Sequence, residues 1–212
     1  IERGATALLL QKPLANVAVP QCIVRDSRRA YARLCSALAG HPSCRLNVLG
    51  VTGTNGKTTV TWLIRSILQA AGKQTGLLGT VEYHDVVEVA SADLTTPNSK
   101  PLFTWLAKMV RRGTTHVAME LSSHALDQNR ADGLTLHSVV VTNVTQDHFD
   151  YHGDFQTYLA AKANILALCR SGGQVVLNAD DHGSQKLFDQ VPVDSNLCRS
   201  DEHPSELQSQ AY

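Results

Sequence analysis

The sequence carries no excess of either charge: 19 lysines and arginines stand against 19 aspartates and glutamates. Net charge therefore calls for neither a polyanionic partner nor an anionic surface, and neither nucleic acid nor membrane is expected as a partner. Cysteine is sparse and unpatterned. Cys22, Cys35, Cys44, Cys169 and Cys198 are odd in number and show no CxxC spacing, which points away from a disulfide framework and toward reduced thiols in a cytoplasmic protein. Aromatic residues make up only 5% of the chain and the methionines form no stripe with them, so no cofactor box is legible. No apolar run approaches the roughly 18 to 20 residues that cross a bilayer, and the first residues lack the charged start and apolar stretch of an export signal.

The hydrophobic share, 43% of 212 residues, suffices for one sizeable core and part of another. From Arg45 onward short apolar runs alternate with longer stretches of helical period, the pattern of an α/β fold whose mostly parallel sheet has helices on both faces. Strands are expected at 46–51, 75–78, 116–121, 138–143 and 174–178, with helices at 57–71, 101–112, 155–169 and 181–188. In the first of these helices Val60, Leu63, Ile64, Ile67, Leu68 and Ala71 recur at spacings of three and four. Before Arg45 the pattern is weaker, with strands at 5–10 and 21–24 and a helix at 27–39 whose Tyr31, Leu34 and Leu38 share one side. Three units follow: 1–44, the tail of an earlier domain ending in a turn-rich linker at 40–44; 45–192, an α/β domain incomplete on its C-terminal side; and 193–212, a non-native or disordered tail with little packing. The chain begins at Ile1 inside an ongoing pattern and reads as a fragment.

The segment Gly50-Val-Thr-Gly-Thr-Asn-Gly-Lys-Thr-Thr59 lies between an expected strand and an expected helix, where backbone N–H groups and a helix N-terminus converge on an anion. Gly53 and Gly56 permit close backbone approach, Lys57 supplies a point charge, and the Thr58 hydroxyl is placed to ligate magnesium. The match to GxxxxGK[ST] is imperfect, because Gly50 falls one residue early and Val51 occupies the first glycine position. The plainer alternative is a glycine-rich turn without a ligand. Glu120 ends a strand on the same side of the sheet; it reads either as a metal ligand between strand end and triphosphate or as an exposed or capping acid. Asp147, His148, Asp150 and His152 crowd one loop without the spacing of a familiar zinc motif, leaving a hydrogen-bonded loop as an equal reading. Lys162, taken on its own, reads as part of a solvated helix face.

Assembled, these motifs resemble those of the Mur ligases, and within that family the MurE type, which adds the third residue of the peptidoglycan stem peptide. The resemblance rests on Thr52-Gly-Thr-Asn-Gly-Lys-Thr-Thr59, Leu94-Thr-Thr-Pro97, Met119 to Arg130, Thr142 to Gly153, Ala160-Ala-Lys162 and Asn178-Ala-Asp-Asp181, in the family's order. It implies a central ATP-binding domain preceded, at 1–44, by the end of a UDP-binding domain. It further implies that Gly53, Thr54, Asn55, Gly56, Lys57, Thr58 and Thr59 hold ATP, with Asn178 near the adenine. Thr58 and Glu120 would ligate Mg2+, and His148 would serve a second metal. Lys162 would be carbamylated into an anionic metal ligand, which reverses the reading of that residue in isolation. Thr95, Thr96, Ser122, Gln128 and Arg130 would bind the UDP-N-acetylmuramoyl-dipeptide. Lys57, Lys162 and His148 would be the catalytic set, in a monomeric enzyme that activates a carboxylate as an acyl phosphate for attack by an amino acid. Leu94 stands where the family often has asparagine, which puts one sugar-peptide contact in doubt. A folylpolyglutamate synthase-like ligase shares the architecture, although the Ser122-to-Arg130 run argues against it. A truncated, non-catalytic ATP-binding module is the other alternative.

Overall fold

The computed structural model describes residues 1–200 apart from Arg3 and His148, with the side chain of Phe149 also outside the description. Two short strands, β1 (Leu8–Leu10) and β2 (Gln21–Ile23), pair in parallel and lead into α1 (Ser27–Leu38). The principal sheet begins with β3 (Asn47–Thr52), followed by α2 (Lys57–Ala70), β4 (Thr75–Leu78) and a hairpin of β5 (Glu82–His84) and β6 (Val89–Ser91). Then come α3 (Ser99–Arg111), β7 (His116–Glu120), α4 (Ser123–Asp127) and β8 (Leu136–Val141). The chain continues through α5 (Phe149–His152), α6 (Phe155–Ala163), β9 (Cys169–Asn178), α7 (His182–Gln185) and β10 (Asn196–Ser200).

The sheet order is β10-β9-β8-β3-β7-β4-β5-β6, parallel except for the hairpin, which is antiparallel to β4 and within itself. Connections leave β3 toward β4 and β7 on one side and later fill β8, β9 and β10 on the other. The order therefore reverses beside β3, and the carboxyl ends of β3 and β8 open the crevice where such sheets take their ligands. Val48, Met119, Leu136, Val139, Val175 and Leu177 are fully buried along the central strands, joined by Leu102, Phe103, Leu106 and Met109 of α3. These near-continuous apolar strands are what a sheet covered on both faces requires.

Strand and helix positions after Arg45 agree with the periodicity, except that the helix expected at 155–169 ends at Ala163 and the strand expected at 174–178 already begins at Cys169, and three further details differ. In α1 the apolar side is the outer one: Leu38 is 81% exposed, while Ala32 and Ser36 are buried. Small residues face inward because Gly133 packs closely there, a Cβ on it standing 3.1 Å from the Ser36 Cβ. The Ser36 hydroxyl donates to the Gly133 carbonyl at 3.0 Å, and Arg29 and Arg33 both pair with Asp132. Second, the expected linker is packed, with Pro42 and Ser43 buried in a 3-10 turn at Pro42–Arg45 and the Thr135 N–H donating to Ser43 Oγ at 3.1 Å. Third, the β5–β6 hairpin went unread in the sequence, and a strand occupies Asn196–Ser200 inside the stretch expected to be non-native or disordered. The hairpin's turn is built by Asp85, whose carboxylate accepts from the Val87 and Glu88 amides at 2.8 Å each and from Arg112 at 2.6 Å. Burial alone would raise that carboxyl, yet these donors hold it below the usual range.

Beyond β8 the chain is welded to α7. Asp181 Oδ2 accepts from the Val144 and Ser184 amides at 2.8 and 2.7 Å, and a Cβ on Gly183 would stand 1.9 Å from the Val144 carbonyl oxygen. Backbone cannot yield as a flexible side chain can. Gly183→Ala is expected to destabilise the fold by about 3 kcal/mol, the upper end for overpacking. A urea midpoint unchanged from the parent chain would refute this packing.

Candidate functional site

The loop between β3 and α2 is fastened to the loop after β8 by its own backbone. The Thr54 amide donates to the Asn143 carbonyl at 2.9 Å, and the Asn55 amide donates to Asn143 Oδ1 at 2.9 Å. In return the Thr142 hydroxyl and Asn143 Nδ2 donate to the Asn55 carbonyl at 2.6 and 3.3 Å. Gly53 is required by this contact, since a Cβ there would fall 1.9 Å from Thr142 Oγ1. Gly56 adopts a φ of 82° at the helix start, a backbone conformation that favours glycine. The first amides of α2 have no partner within the helix and are set toward the crevice as anion donors.

Two amines meet on one carbonyl of this loop. Lys57 Nζ donates to the Gly53 and Thr54 carbonyls at 2.8 and 2.9 Å, and Lys162 Nζ donates to the Gly53 carbonyl at 2.7 Å. Lys162 is 1% exposed and stands 4.5 Å from the centre of the Tyr158 ring. Reading it as a solvated helix face is thus overturned. Helix α6 buries Tyr158, Leu159, Ala161 and Lys162 together, so no polar stripe marks the lysine out. Burial, then repulsion from Lys57, pushes the Lys162 amine down to about 7, against the pull of Asp147. Burial also lowers Lys57, partly opposed by Glu120 and Asp147.

Glu120, at the end of β7, is 1% exposed and aimed at the same loop. Its Oε2 accepts the Thr58 hydroxyl at 3.0 Å and the Thr80 hydroxyl at 2.9 Å, while Oε1 accepts the Thr80 amide at 2.9 Å. A Cβ on Gly79 would stand 2.4 Å from Oε1, so glycine is needed to admit the carboxylate. A carboxylate with hydroxyl oxygens around it is the hard donor set that magnesium prefers.

The five residues expected to bind a sugar-peptide fall together beyond the ends of β4 and β7. The buried Thr96 hydroxyl donates to the Glu120 carbonyl at 2.9 Å and accepts from the Ser122 amide at 3.0 Å, so it braces the strand end rather than facing outward. Ser122 caps α4 by accepting from the Ala125 amide at 3.2 Å. Arg130 donates to Gln128 Oε1 through Nε and Nη2 at 2.9 and 2.6 Å, and Thr95 shares a 3.1 Å hydrogen bond with Thr80. Tyr83 holds the preceding residue by donating to the Leu94 carbonyl and accepting from its amide. Asn178 donates to the Thr142 carbonyl at 2.9 Å and accepts from the Asp180 amide at 2.9 Å, beside a shallow pocket with Val60 and Val140.

His148 lies outside the described residues. His152 points elsewhere, its Nε2 sitting 3.1 Å from the Ser123 hydroxyl, and among the described residues no group of three His, Cys, Asp or Glu is assembled for a metal. Sequence reasoning missed Thr80, Asn143 and Tyr158, whose hydroxyl shares a 3.0 Å hydrogen bond with Thr54. Thr80 carried a usable signal, since it follows Gly79 just past the carboxyl end of a parallel strand.

A glycine-containing strand-to-helix loop at the switch point of a parallel sheet, ringed by two amines and a buried carboxylate, defines a nucleotide-binding α/β domain of the phosphate-loop class. Residues 51–201 match the family model described as Mur ligase middle domain. The chain belongs to the Mur ligase family. It is 46% identical over 191 residues to the UDP-N-acetylmuramoyl-L-alanyl-D-glutamate--2,6-diaminopimelate ligase of Geobacillus kaustophilus (strain HTA426), which covers 87% of this chain and 39% of that one. To the ligase of the same name from Aquifex aeolicus (strain VF5) it is 41% identical over 187 residues, 88% of this chain and 38% of the relative. A solved structure of a UDP-N-acetylmuramoyl-L-alanyl-D-glutamate--2,6-diaminopimelate ligase superposes with a TM-score of 0.81 at 25% identity, covering 94% of this chain and 41% of the other. The chain thus spans about two-fifths of the length of these relatives.

Proposed function

We propose that this chain is the nucleotide-binding core of an ATP-dependent ligase joining UDP-N-acetylmuramoyl-L-alanyl-D-glutamate to 2,6-diaminopimelate, the reaction named for its relatives. The observation that carries the reading is the convergence of Lys57, Lys162 and the Thr58–Glu120 pair on one loop. When bound, ATP with Mg2+ supplies the phosphoryl group that converts the D-glutamate carboxylate into an acyl phosphate, which the incoming amine displaces as phosphate.

The chain's own residues do the positioning and carry the charge. The amides of residues 56–59 at the start of α2 cradle phosphate oxygens, those of Thr54 and Asn55 being spent on Asn143, and Lys57 turns from its carbonyl partners toward the transferred group, whose charge it stabilises. Thr58 and Glu120 hold magnesium through oxygen. Asn178 lies near the adenine, and Thr95, Thr96, Ser122, Gln128 and Arg130 orient the sugar-peptide, Arg130 being the cation suited to its carboxylate. His148 serves a second metal. Lys162 is carbamylated: its neutral amine, accessible near pH 7 because burial and Lys57 disfavour the ammonium, attacks carbon dioxide and loses a proton. The anion so formed removes the repulsion between the two lysines and offers oxygen to the metal. The enzyme works as a cytoplasmic monomer.

Calorimetry with a non-hydrolysable ATP analogue tests the reading. Magnesium should tighten binding by about tenfold, or roughly 1.4 kcal/mol. Binding equally tight in chelator would sink the assignment of Thr58 and Glu120, and no binding at all would sink the nucleotide reading itself.

A further inference from the structure

Thr80 stands between two parts of the site and belongs to neither ligand set described above. Its amide and hydroxyl bind separate oxygens of Glu120, at 2.9 Å each, and its hydroxyl lies 3.1 Å from the Thr95 hydroxyl. A hydroxyl has one proton, and an ionised carboxylate accepts only. The Thr80 hydroxyl is directed as a donor at both Glu120 Oε2 and the Thr95 oxygen, and the charged carboxylate is the nearer and stronger acceptor, so the proton goes to Glu120. Thr58 obeys the same rule: donating to Glu120 Oε2 at 3.0 Å, it keeps its lone pairs for a cation.

We infer that Thr80 is a positioning residue for the metal: by gripping both oxygens of Glu120 it holds the carboxylate in the plane that a cation shared with Thr58 requires. The carboxylate lies at a strand end against Gly79, and besides Thr80 the side-chain hydrogen bond that fixes its plane comes from the Thr58 hydroxyl. Thr80 is itself exposed, and its side chain adds nothing to the buried core. Replacing it therefore changes the site while leaving the fold in place.

This inference rests on the metal-nucleotide reading, and the test separates the two. Mn2+ is titrated into this chain in the presence of a non-hydrolysable ATP analogue and followed by electron paramagnetic resonance, with the parent sequence, Thr80→Val and Thr80→Ser compared. Thr80→Val should weaken Mn2+ binding about tenfold, the loss of one hydrogen bond to a charged group. Thr80→Ser should restore it to within about twofold of the parent. Nucleotide affinity in chelator should be the same for all three, a result that a general loosening of the structure would not produce. Undiminished Mn2+ binding by Thr80→Val, or a serine variant as weak as the valine one, overturns the role given to Thr80 alone. Failure of the parent chain to bind Mn2+ with the analogue overturns this inference together with the functional reading beneath it.

Discussion

Lys57→Ala is expected to weaken binding of a magnesium–ATP analogue by about 100-fold, the equivalent of roughly 3 kcal/mol and of one or two charge-assisted hydrogen bonds. The lysine rises from the first position of α2, and its ammonium already lies within the loop, held by two carbonyls that a phosphate oxygen would replace as its partner. Because those carbonyls are neutral acceptors, exchanging them for an anion strengthens the contact rather than merely relocating it. The same substitution has a second consequence far along the chain, at Lys162, the other amine that shares the Gly53 carbonyl. Removing Lys57 removes one of the two causes that depress Lys162, so the Lys162 amine should move up from about 7 while its burial keeps it below the ordinary lysine range. Isothermal calorimetry reads the first effect and an NMR titration of the labelled Lys162 side chain reads the second. Equal affinity in both proteins would remove Lys57 from the phosphate site, and an unmoved Lys162 would show that the two amines do not interact.

Lys162 should also leave a signature in the dependence of stability on pH. Its folded-state value is about 7 against an ordinary 10.5, so between those limits the unfolded chain holds a proton that the folded chain does not. Stability then rises with pH across that window, by up to about 1.4 kcal/mol per pH unit, and close to 5 kcal/mol over its whole width. Below pH 7 both states are protonated, and the folded one bears a buried ammonium 4.5 Å from an aromatic ring centre and near a second lysine. Lys162→Met should abolish this slope and make the protein more stable than the parent below pH 7. Urea unfolding at intervals from pH 6 to pH 10, parent against variant, measures the difference directly and cancels other titrating groups. Parallel curves would mean that the amine is charged in the fold at all these pH values. With 13C-labelled bicarbonate the parent should further gain a carbamate carbon resonance that Lys162→Met lacks, and its absence from the parent at pH 8 would count against carbamylation.

Much of the architecture was legible because it depends on period and punctuation. The strand at 75–78 was readable to the residue, and the strand-loop-helix at Gly50 to Thr59 placed Gly53, Gly56, Lys57 and Thr58 where the structure has them. The hairpin at 82–91 escaped because its strands are three residues long and its turn is made by a side chain, Asp85, bonding to the amides of residues 87 and 88. Direction of burial was harder still. In α1 the spacing of Tyr31, Leu34 and Leu38 is helical, yet all three are exposed, and in α2 Leu63 and Ile67 are more than half exposed.

Local sequence alone determined the longer strands and helices after Arg45 and that a glycine-rich loop joins β3 to α2, because dihedral preference, apolar period and glycine placement act over a few residues. Only the tertiary structure decided that Lys162 is buried, that it shares an acceptor with Lys57, and that Glu120 is gripped by Thr58 and Thr80. Those facts depend on the order of strands in the sheet, which brings residues separated by 40 to 109 positions to the same carboxyl edge. The charge a side chain carries there is set by its neighbours and its distance from water, and neither is a property of the residue or of the residues beside it in the chain.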